Sequence, residues 1–392
     1  MRLFRSKYFS FSAIFFFGWA AFATTALDFV FYSEQVGFSS AEIGFIYAVK
    51  VLIAIMFQPV FGIICDYIRS TKKMLIVMGI AAVFFSIGLP LVTSKISILI
   101  LDFCYTIAVC AFMALLDNWA AGECANEEKF HFGSLRLWGS ISFAIAAYIY
   151  GLITMHMSVG NMYFGRAIFF AITVIFVFLN QYDKRAVPEP KEKKEKPDIK
   201  ALFSMKEYWL FFIFLLIFCF PINAVIAFFP RLMLDKGSTN YTIALFAAIH
   251  AIAEVPFFLY VRRLTKKIGS RGLILIGAVF VIIRLAGFAF AGSVPLLLAA
   301  YLCQIPYVTF FGPGLIYYSR SIAPKNTQAF TLTSLQGLAI GISGMLGTYV
   351  FGMIADSRGI QSLFAYSAVI CITGFVLFIV TSFLLKKIRH NS

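Results

Sequence analysis

Ionisable side chains inside long apolar stretches are the residues of this chain that could do chemistry. Asp28, Lys50, Asp117, Arg136, Glu254 and Arg284 stand deep in such stretches, and Asp102, Glu123 and Arg166 stand nearer their ends. In hydrocarbon each costs at least ~2.5–3.5 kcal/mol, so each needs a partner or a water-filled cavity. Both signs occur in each half of the chain, so pairing is available. The chemistry open to such groups is proton exchange and recognition of a polar solute. Asp117, with Asn118 beside it, and Arg136 lie at the ends of consecutive apolar segments. A carboxylate and a guanidinium fork facing each other there could hold hydroxyls or a carboxylate. An ion pair that only locks two helices is the competing reading. Asp28 and Lys50 differ in depth by about one helical turn (~5 Å) and could form a second pair, structural or functional. His250 and Glu254 are four residues apart and share a helix face. Glu254 is the expected proton carrier, with Asp117 or Asp28 in reserve. Arg284, one segment away, would set whether Glu254 keeps its proton. His250 is either a relay or a hydrogen-bonded interior histidine.

The elements that must position these groups are apolar segments of about twenty residues, the length that crosses ~30 Å of hydrocarbon at ~1.5 Å per residue. Twelve can be read, near 8–32, 41–64, 74–93, 96–117, 134–156, 160–180, 208–230, 240–261, 272–291, 294–318, 327–353 and 363–385. Hydrophobic residues make up 61% of the chain and charged residues 13%, a composition that excludes a soluble protein of 392 residues. The expectation is an all-α membrane protein of twelve spanning helices. Between residues 181 and 206 the chain turns polar, with Pro188, Pro190, Pro197 and the run from Lys191 to Lys196. That stretch reads as a solvated linker. It separates an N-terminal six-helix bundle (1–180) from a C-terminal one (207–392). Such duplication is expected of a transporter with its solute site at the interface of the halves.

Lys and Arg crowd the start (Arg2, Arg5, Lys7), the second loop (Arg69, Lys72, Lys73), the eighth loop (Arg262, Arg263, Lys266, Lys267, Arg271) and the tail (Lys386, Lys387, Arg389). Residues 33–42 contain neither. Both termini are therefore expected in the cytoplasm, and the net charge of +15 reads as a topology signal, with no nucleic-acid partner implied. The basic, apolar start has too long a run for a cleaved signal peptide and reads as the first span. The cysteines (Cys65, Cys104, Cys110, Cys124, Cys219, Cys303, Cys371) fall mostly in apolar runs without paired spacing, so no metal or disulfide role is expected.

Two stretches carry more specific signals. Gly62-Ile63-Ile64-Cys65-Asp66, followed by Arg69, Lys72 and Lys73, resembles the G-x-x-x-D-x-x-x-[RK]-[RK] signature of the major facilitator superfamily. The glycine would let helices approach, the aspartate would cap or pair with a neighbouring helix end, and the cations would anchor the turn. Weaker echoes lie at 263–271, without the acid, and at 352–359, with Asp356 and Arg358. Asp117-Asn118-Trp119, then Leu135-Arg136-Leu137-Trp138-Gly139-Ser140, resembles the fourth-to-fifth-span region of the phenylpropionate permeases and of the lactose permease-like oligosaccharide:proton symporters. Lys50, Glu254 and Arg284 match further charged positions of that group. The resemblance implies a proton-coupled importer with the two-bundle fold, monomeric by default. The chain departs from it in the tenth span. Where the lactose permeases carry His-x-x-Glu, Tyr301 and Gln304 stand before Ile305-Pro306, and Gln304 cannot carry a proton.

Aromatic residues make up 18% of the chain, most of them expected to face lipid or to pack. Trp119, Trp138, Tyr47, Tyr301, Tyr307 and Gln304 are the candidates for contact with a solute ring. The glycines of the tenth and eleventh spans (Gly312, Gly314, Gly337, Gly341, Gly344, Gly347, Gly352) suit close helix packing. No phosphate-cradling loop, nucleophile constellation or metal-ligand spacing is present, so neither an ATP-driven machine nor an enzyme is expected, and no cofactor. The expected function is secondary active transport of a sugar, nucleoside or aromatic acid by proton symport across a bacterial inner membrane. The alternatives are proton-coupled efflux of drugs or metabolites and a non-transporting sensor or scaffold.

Overall fold

In the computed structural model of the chain, residues 7–124, 132–181, 199–324 and 327–391 are described, and every regular element among them is helical. Hydrocarbon has no water to satisfy exposed backbone groups, so a chain this apolar must close its hydrogen bonds within each segment. Among the described residues, eleven helical segments are long and apolar enough to cross a membrane. The stretch expected as the eighth span lies in the first part of the helix Asn240–Phe290, which breaks at Gly269 (φ 70°) before the ninth. Residues 182–198, the body of the expected linker, lie outside the described residues.

The N-terminal helices are α1 (Lys7–Phe22), α2 (Ser40–Ile68), α3 (Thr71–Gly88), α4 (Lys95–Val109), α5 (Phe112–Cys124), α6 (Phe132–His156) and α7 (Met162–Leu179). The C-terminal ones are α8 (Lys206–Cys219), α9 (Ile222–Asp235), α10 (Asn240–Phe290), α11 (Val294–Tyr301), α12 (Gly312–Ile322), α13 (Gln328–Ser334), α14 (Ser343–Arg358) and α15 (Ile360–Asn391). Several spans are interrupted. After α1 the first continues as a 3-10 turn (Ala23–Ala26), a short helix (Asp28–Val30) and a π-helical stretch (Phe31–Val36), ending at Gly37 in the left-handed region. The tenth carries a π-helical stretch at Tyr307–Phe311 and the eleventh another at Leu335–Ile342. Irregular helix of this kind is frequently placed at functional sites.

The chain forms two compact units. The first holds residues 1–38, 52–190 and 239–252, and the second holds 39–51, 191–238 and 253–392. The core of the first unit is an aromatic and aliphatic cluster that includes Phe11, Phe15, Leu75, Met78, Phe112, Leu116, Trp119 and Phe170. In the second unit α8 packs on α15 and α9 on α14, with Phe214, Phe218, Phe311 and Phe378 stacked between helices. The second unit also takes in the first turns of α2. Asp356 of α14 accepts the backbone N–H groups of Ser40 and Ala41 at 3.0 and 2.8 Å, satisfying orphan donors of a helix start. Gly44 and Gly352 permit that approach. A Cβ on either would lie 2.6 Å from a backbone carbonyl oxygen, Thr348 O and Ser40 O respectively.

The signature loop anchors a turn as expected but departs at its glycine. Arg69 takes a positive φ of 55°, ending α2, and Ser70 then caps α3 by accepting the Lys73 N–H at 3.1 Å. Lys72 donates to the Asn180 carbonyl at 2.7 Å, tying this turn to the end of α7. Asp66 is exposed. Gly62 does not serve close helix approach here: among the described residues no atom stands within 4 Å of where its Cβ would lie.

Candidate functional site

Two groups of buried polar residues, one in each unit, hold most of the residues that could do chemistry. In the first unit the centre is Arg166, 2% exposed on α7. Its guanidinium carbon lies 3.7 Å from the ring centre of Tyr105 and 4.3 Å from that of Tyr163, so the cation is sandwiched between phenol faces. Its Nε donates to Ser86 Oγ at 2.9 Å, and its Nη2 is buried without a hydrogen-bond partner. Two carboxylates act on it electrostatically, Asp28 and Asp102. The Tyr163 hydroxyl donates to Asp28 Oδ1 at 3.1 Å and the Tyr32 hydroxyl to Asp102 Oδ2 at 2.6 Å. Asp28 is 6% exposed and Asp102 1%. Four elements thus converge: the broken end of the first span, α3, α4 and α7.

A second arrangement in the same unit joins Asp117 of α5, Arg136 of α6 and Trp19 of α1. Arg136 stacks on the Trp19 indole with its guanidinium carbon 3.8 Å from the ring centre, and it acts electrostatically on Asp117. Gly139 makes room for that ring: its Cβ would lie 2.5 Å from Trp19 Cδ1. Trp19 Nε1 and Asp117 Oδ1 are buried without hydrogen-bond partners. Asn118 is exposed, whereas Trp119 packs edge-to-face on Phe11 inside the apolar core. Trp138 is exposed and donates to the Tyr8 hydroxyl at 3.1 Å. Glu123 forms an ion pair with Lys7 at 2.6 Å.

In the second unit the centre is Arg284 on α10, 1% exposed. Its Nε and Nη2 are buried without hydrogen-bond partners. Its guanidinium carbon lies 5.5 Å from the Tyr307 ring centre and 5.9 Å from that of Phe288, and Tyr301, Cys303 and Cys371 are electrostatic neighbours. Gln304, 7% exposed, has its side-chain carbonyl oxygen buried without a partner. Tyr301 stacks on Phe229 at 4.6 Å and is an electrostatic neighbour of Glu254. Glu254 is half-buried on α10, and His250, one turn earlier on the same helix and also half-buried, falls in the stretch that belongs to the first unit. Lys50 is half-buried in the second unit with its Nζ 5.7 Å from the Tyr47 ring centre, whereas Asp28 belongs to the first unit.

Sequence reasoning missed Trp19, Tyr32, Ser86, Tyr105 and Tyr163. Helical spacing offered a signal for two of them, because Tyr105 follows Asp102 and Tyr163 precedes Arg166 by three residues, on the same helix faces.

Comparison with known proteins follows most of the length of the chain. The model of the MFS_1 like family matches residues 8–366. The maltose permease of Geobacillus stearothermophilus is 23% identical over 348 residues, covering 88% of this chain and 86% of that protein. The sucrose permease of Escherichia coli is 25% identical over 407 aligned positions, covering 94% and 92%. The crystal structure of the nucleoside transporter NupG superposes with a TM-score of 0.81 at 20% identity, covering 96% of this chain and 99% of that one. That likeness fixes the fold as the twelve-helix transporter architecture.

Proposed function

The chain belongs to the MFS_1 like family of multi-pass membrane transporters, and from that premise we propose that it imports a sugar or nucleoside across the cytoplasmic membrane by symport with a proton. It is a secondary transporter and no enzyme. The observation that carries the solute class is a group of buried polar atoms without hydrogen-bond partners, drawn from those on the spanning helices that also carry the candidate solute residues. Trp19 Nε1, Arg284 Nε and Arg284 Nη2 are donors, and Asp117 Oδ1 and Gln304 Oε1 are acceptors. Each costs about 1–3 kcal/mol unless something bonds to it. An aromatic acid would answer only the donors. A polyhydroxylated solute answers both kinds, because every hydroxyl donates and accepts. The indole of Trp19 and the phenol rings of Tyr301 and Tyr307 add apolar faces for a pyranose or a base.

Asp117, Arg136 and Trp19 take solute hydroxyls in the first unit, and Arg284 and Gln304 do so in the second. Trp119 serves packing. Asn118, exposed beside Asp117, is a further candidate contact. Symport direction, cytoplasmic termini and inner-membrane location belong to the same proposal, and the distribution of Lys and Arg supports the orientation of the termini. The test is uptake of radiolabelled maltose, sucrose and uridine into proteoliposomes, with and without an imposed inward proton gradient. Accumulation of one of them only with the gradient supports the proposal. Equilibration that ignores the gradient removes the proton, and failure of all three removes the solute class.

A further inference from the structure

The second unit has a cavity of about 360 Å³ that shares no lining residue with the Arg284 cluster. Glu207 in the first turn of α8, Ser270 and Arg271 just past the break of α10 at Gly269, and Tyr318 and Ser321 in the last turns of α12 line it. All lie at ends of spanning segments, the ends that the placing of Lys and Arg assigns to the cytoplasm. The volume falls within the range of small-molecule sites, about 300–1,000 Å³.

The lining supplies both donors and acceptors. Arg271 holds its guanidinium carbon 5.3 Å from the Tyr318 ring centre, and among the described residues no hydrogen bond or ion pair engages its N–H groups. Ser270, beside it, adds a hydroxyl. A guanidinium fork next to a hydroxyl suits a phosphate. Glu207, 9% exposed, brings a carboxylate from α8. Ser321 Oγ donates to the Tyr318 carbonyl at 2.7 Å, which leaves its lone pairs to accept. A carboxylate accepts in about four directions, so Glu207 takes an ammonium alongside any bond it makes within the fold. One cation and one carboxylate make the lining neutral, which favours a ligand carrying both signs over a simple anion or cation. The exposed Lys206, Lys267 and Arg320, each next in sequence to a lining residue, favour a phosphate as its anionic part. A quaternary ammonium has no N–H for Glu207 and is held by open aromatic faces, whereas the Tyr318 ring already faces Arg271. We propose that this cavity binds a phosphate joined through a short chain to a primary ammonium, the phosphate on Arg271 and Ser270 and the ammonium on Glu207 and Ser321. That is the chemistry of an ethanolamine phospholipid headgroup at the membrane surface, or of free phosphoethanolamine. Bound there, the ligand ties together the first turn of α8, the restart of α10 after Gly269 and the last turn of α12. The inference needs neither the solute nor the proton of the reading above.

The test is thermal unfolding of the purified full-length protein, followed by tryptophan fluorescence. One arm adds phosphoethanolamine to the protein in detergent, and the other compares nanodiscs of phosphatidylethanolamine with nanodiscs of phosphatidylcholine. The melting temperature is expected to rise with the free compound if the source is soluble, and only with the ethanolamine lipid if it is a headgroup. Phosphocholine in the first arm is expected to need at least about tenfold more for the same rise, because it cannot donate to Glu207. Arg271→Gln is expected to remove the rise in whichever arm shows it, and Glu207→Gln to make the ethanolamine and choline compounds equivalent. Glu207 is buried, so if that variant does not fold, Ser321→Trp decides. It fills the cavity from an exposed lining position and is expected to abolish the rise. A rise that survives Ser321→Trp or Arg271→Gln, an equal rise with inorganic phosphate, or no rise in either arm overturns the proposal. None of these readouts involves transport, so failure of maltose, sucrose and uridine in the uptake assay leaves them as they stand.

Discussion

Arg166 and Arg284 are both buried guanidinium groups, 2% and 1% exposed, yet carboxylates face the first, whereas among the described residues phenols and thiols are the electrostatic neighbours of the second. Arg166 is sandwiched by two phenols at 3.7 and 4.3 Å, bonded to Ser86, and faced by Asp28 and Asp102, which are themselves bonded by Tyr163 and Tyr32. Arg284 has rings at 5.5 and 5.9 Å and neighbours that are phenols and thiols, with Nε and Nη2 left open. A buried cation with unmet donors lowers stability unless water or a ligand bonds to them. The two clusters thus differ in how far the fold itself answers their buried polar groups.

The largest effect that would break this contrast comes from exchanging the roles of stability and transport. Arg166→Ala removes the guanidinium that faces two buried carboxylates and is expected to cost about 3–5 kcal/mol, enough to remove most folded protein from the membrane. Fluorescence-detected size exclusion of the solubilised variant checks this, and a monodisperse, fully folded Arg166→Ala would end the idea of a closed network. Arg284→Met removes unmet donors while keeping the apolar stem. It should leave thermal stability unchanged or raised, yet lower solute uptake by at least a hundredfold, about 2.7 kcal/mol of binding. Loss of folding together with transport would mean that Arg284 is structural after all.

A middle-sized effect sharpens the same comparison. Tyr32→Phe deletes a 2.6 Å hydrogen bond to a buried carboxylate and should cost roughly 1.5–3 kcal/mol, read as a lower melting temperature. Tyr307→Phe keeps the ring that faces Arg284 and should leave the melting temperature within error. Equal losses for the two would erase the difference between the clusters.

How much of this can be read in the sequence follows from which signals are local. Apolar length is a property of single segments, so the spans and the all-helical membrane class are legible from composition. Depth is legible too, which is why Asp28, Asp117, Arg136, Glu254 and Arg284 stand out by their position within apolar runs. Partnership is not, because it depends on which helices touch. Asp102 and Arg166 look peripheral by position, yet α4 and α7 bring them to the centre of a cluster with Asp28. Trp119 looks like a solute contact because it neighbours Asp117, but successive residues of a helix point in different directions, and it faces the core. Trp19, far from Arg136 along the chain, reaches it through the groove that Gly139 opens. Gly62 matches a signature by spacing, whereas Gly44 and Gly352, in no such pattern together, make the close approach.

The smallest expected effect is the most exacting, since it opposes the signs of two single polar deletions. Ser86→Ala removes the acceptor of Arg166 Nε, a bond of 2.9 Å. Hydrogen bonds between spanning helices are worth about 0.6 kcal/mol on average and up to ~1.7, so a modest fall in melting temperature is expected. Gln304→Leu removes a buried carbonyl oxygen that has no partner, so it relieves a desolvation cost and should hold or raise the melting temperature. The same Leu variant should weaken solute affinity about tenfold, which corresponds to one hydrogen bond of about 1.4 kcal/mol. A Gln304→Leu protein that loses stability would show that the carbonyl oxygen is satisfied within the fold, and the second unit would then be as closed as the first.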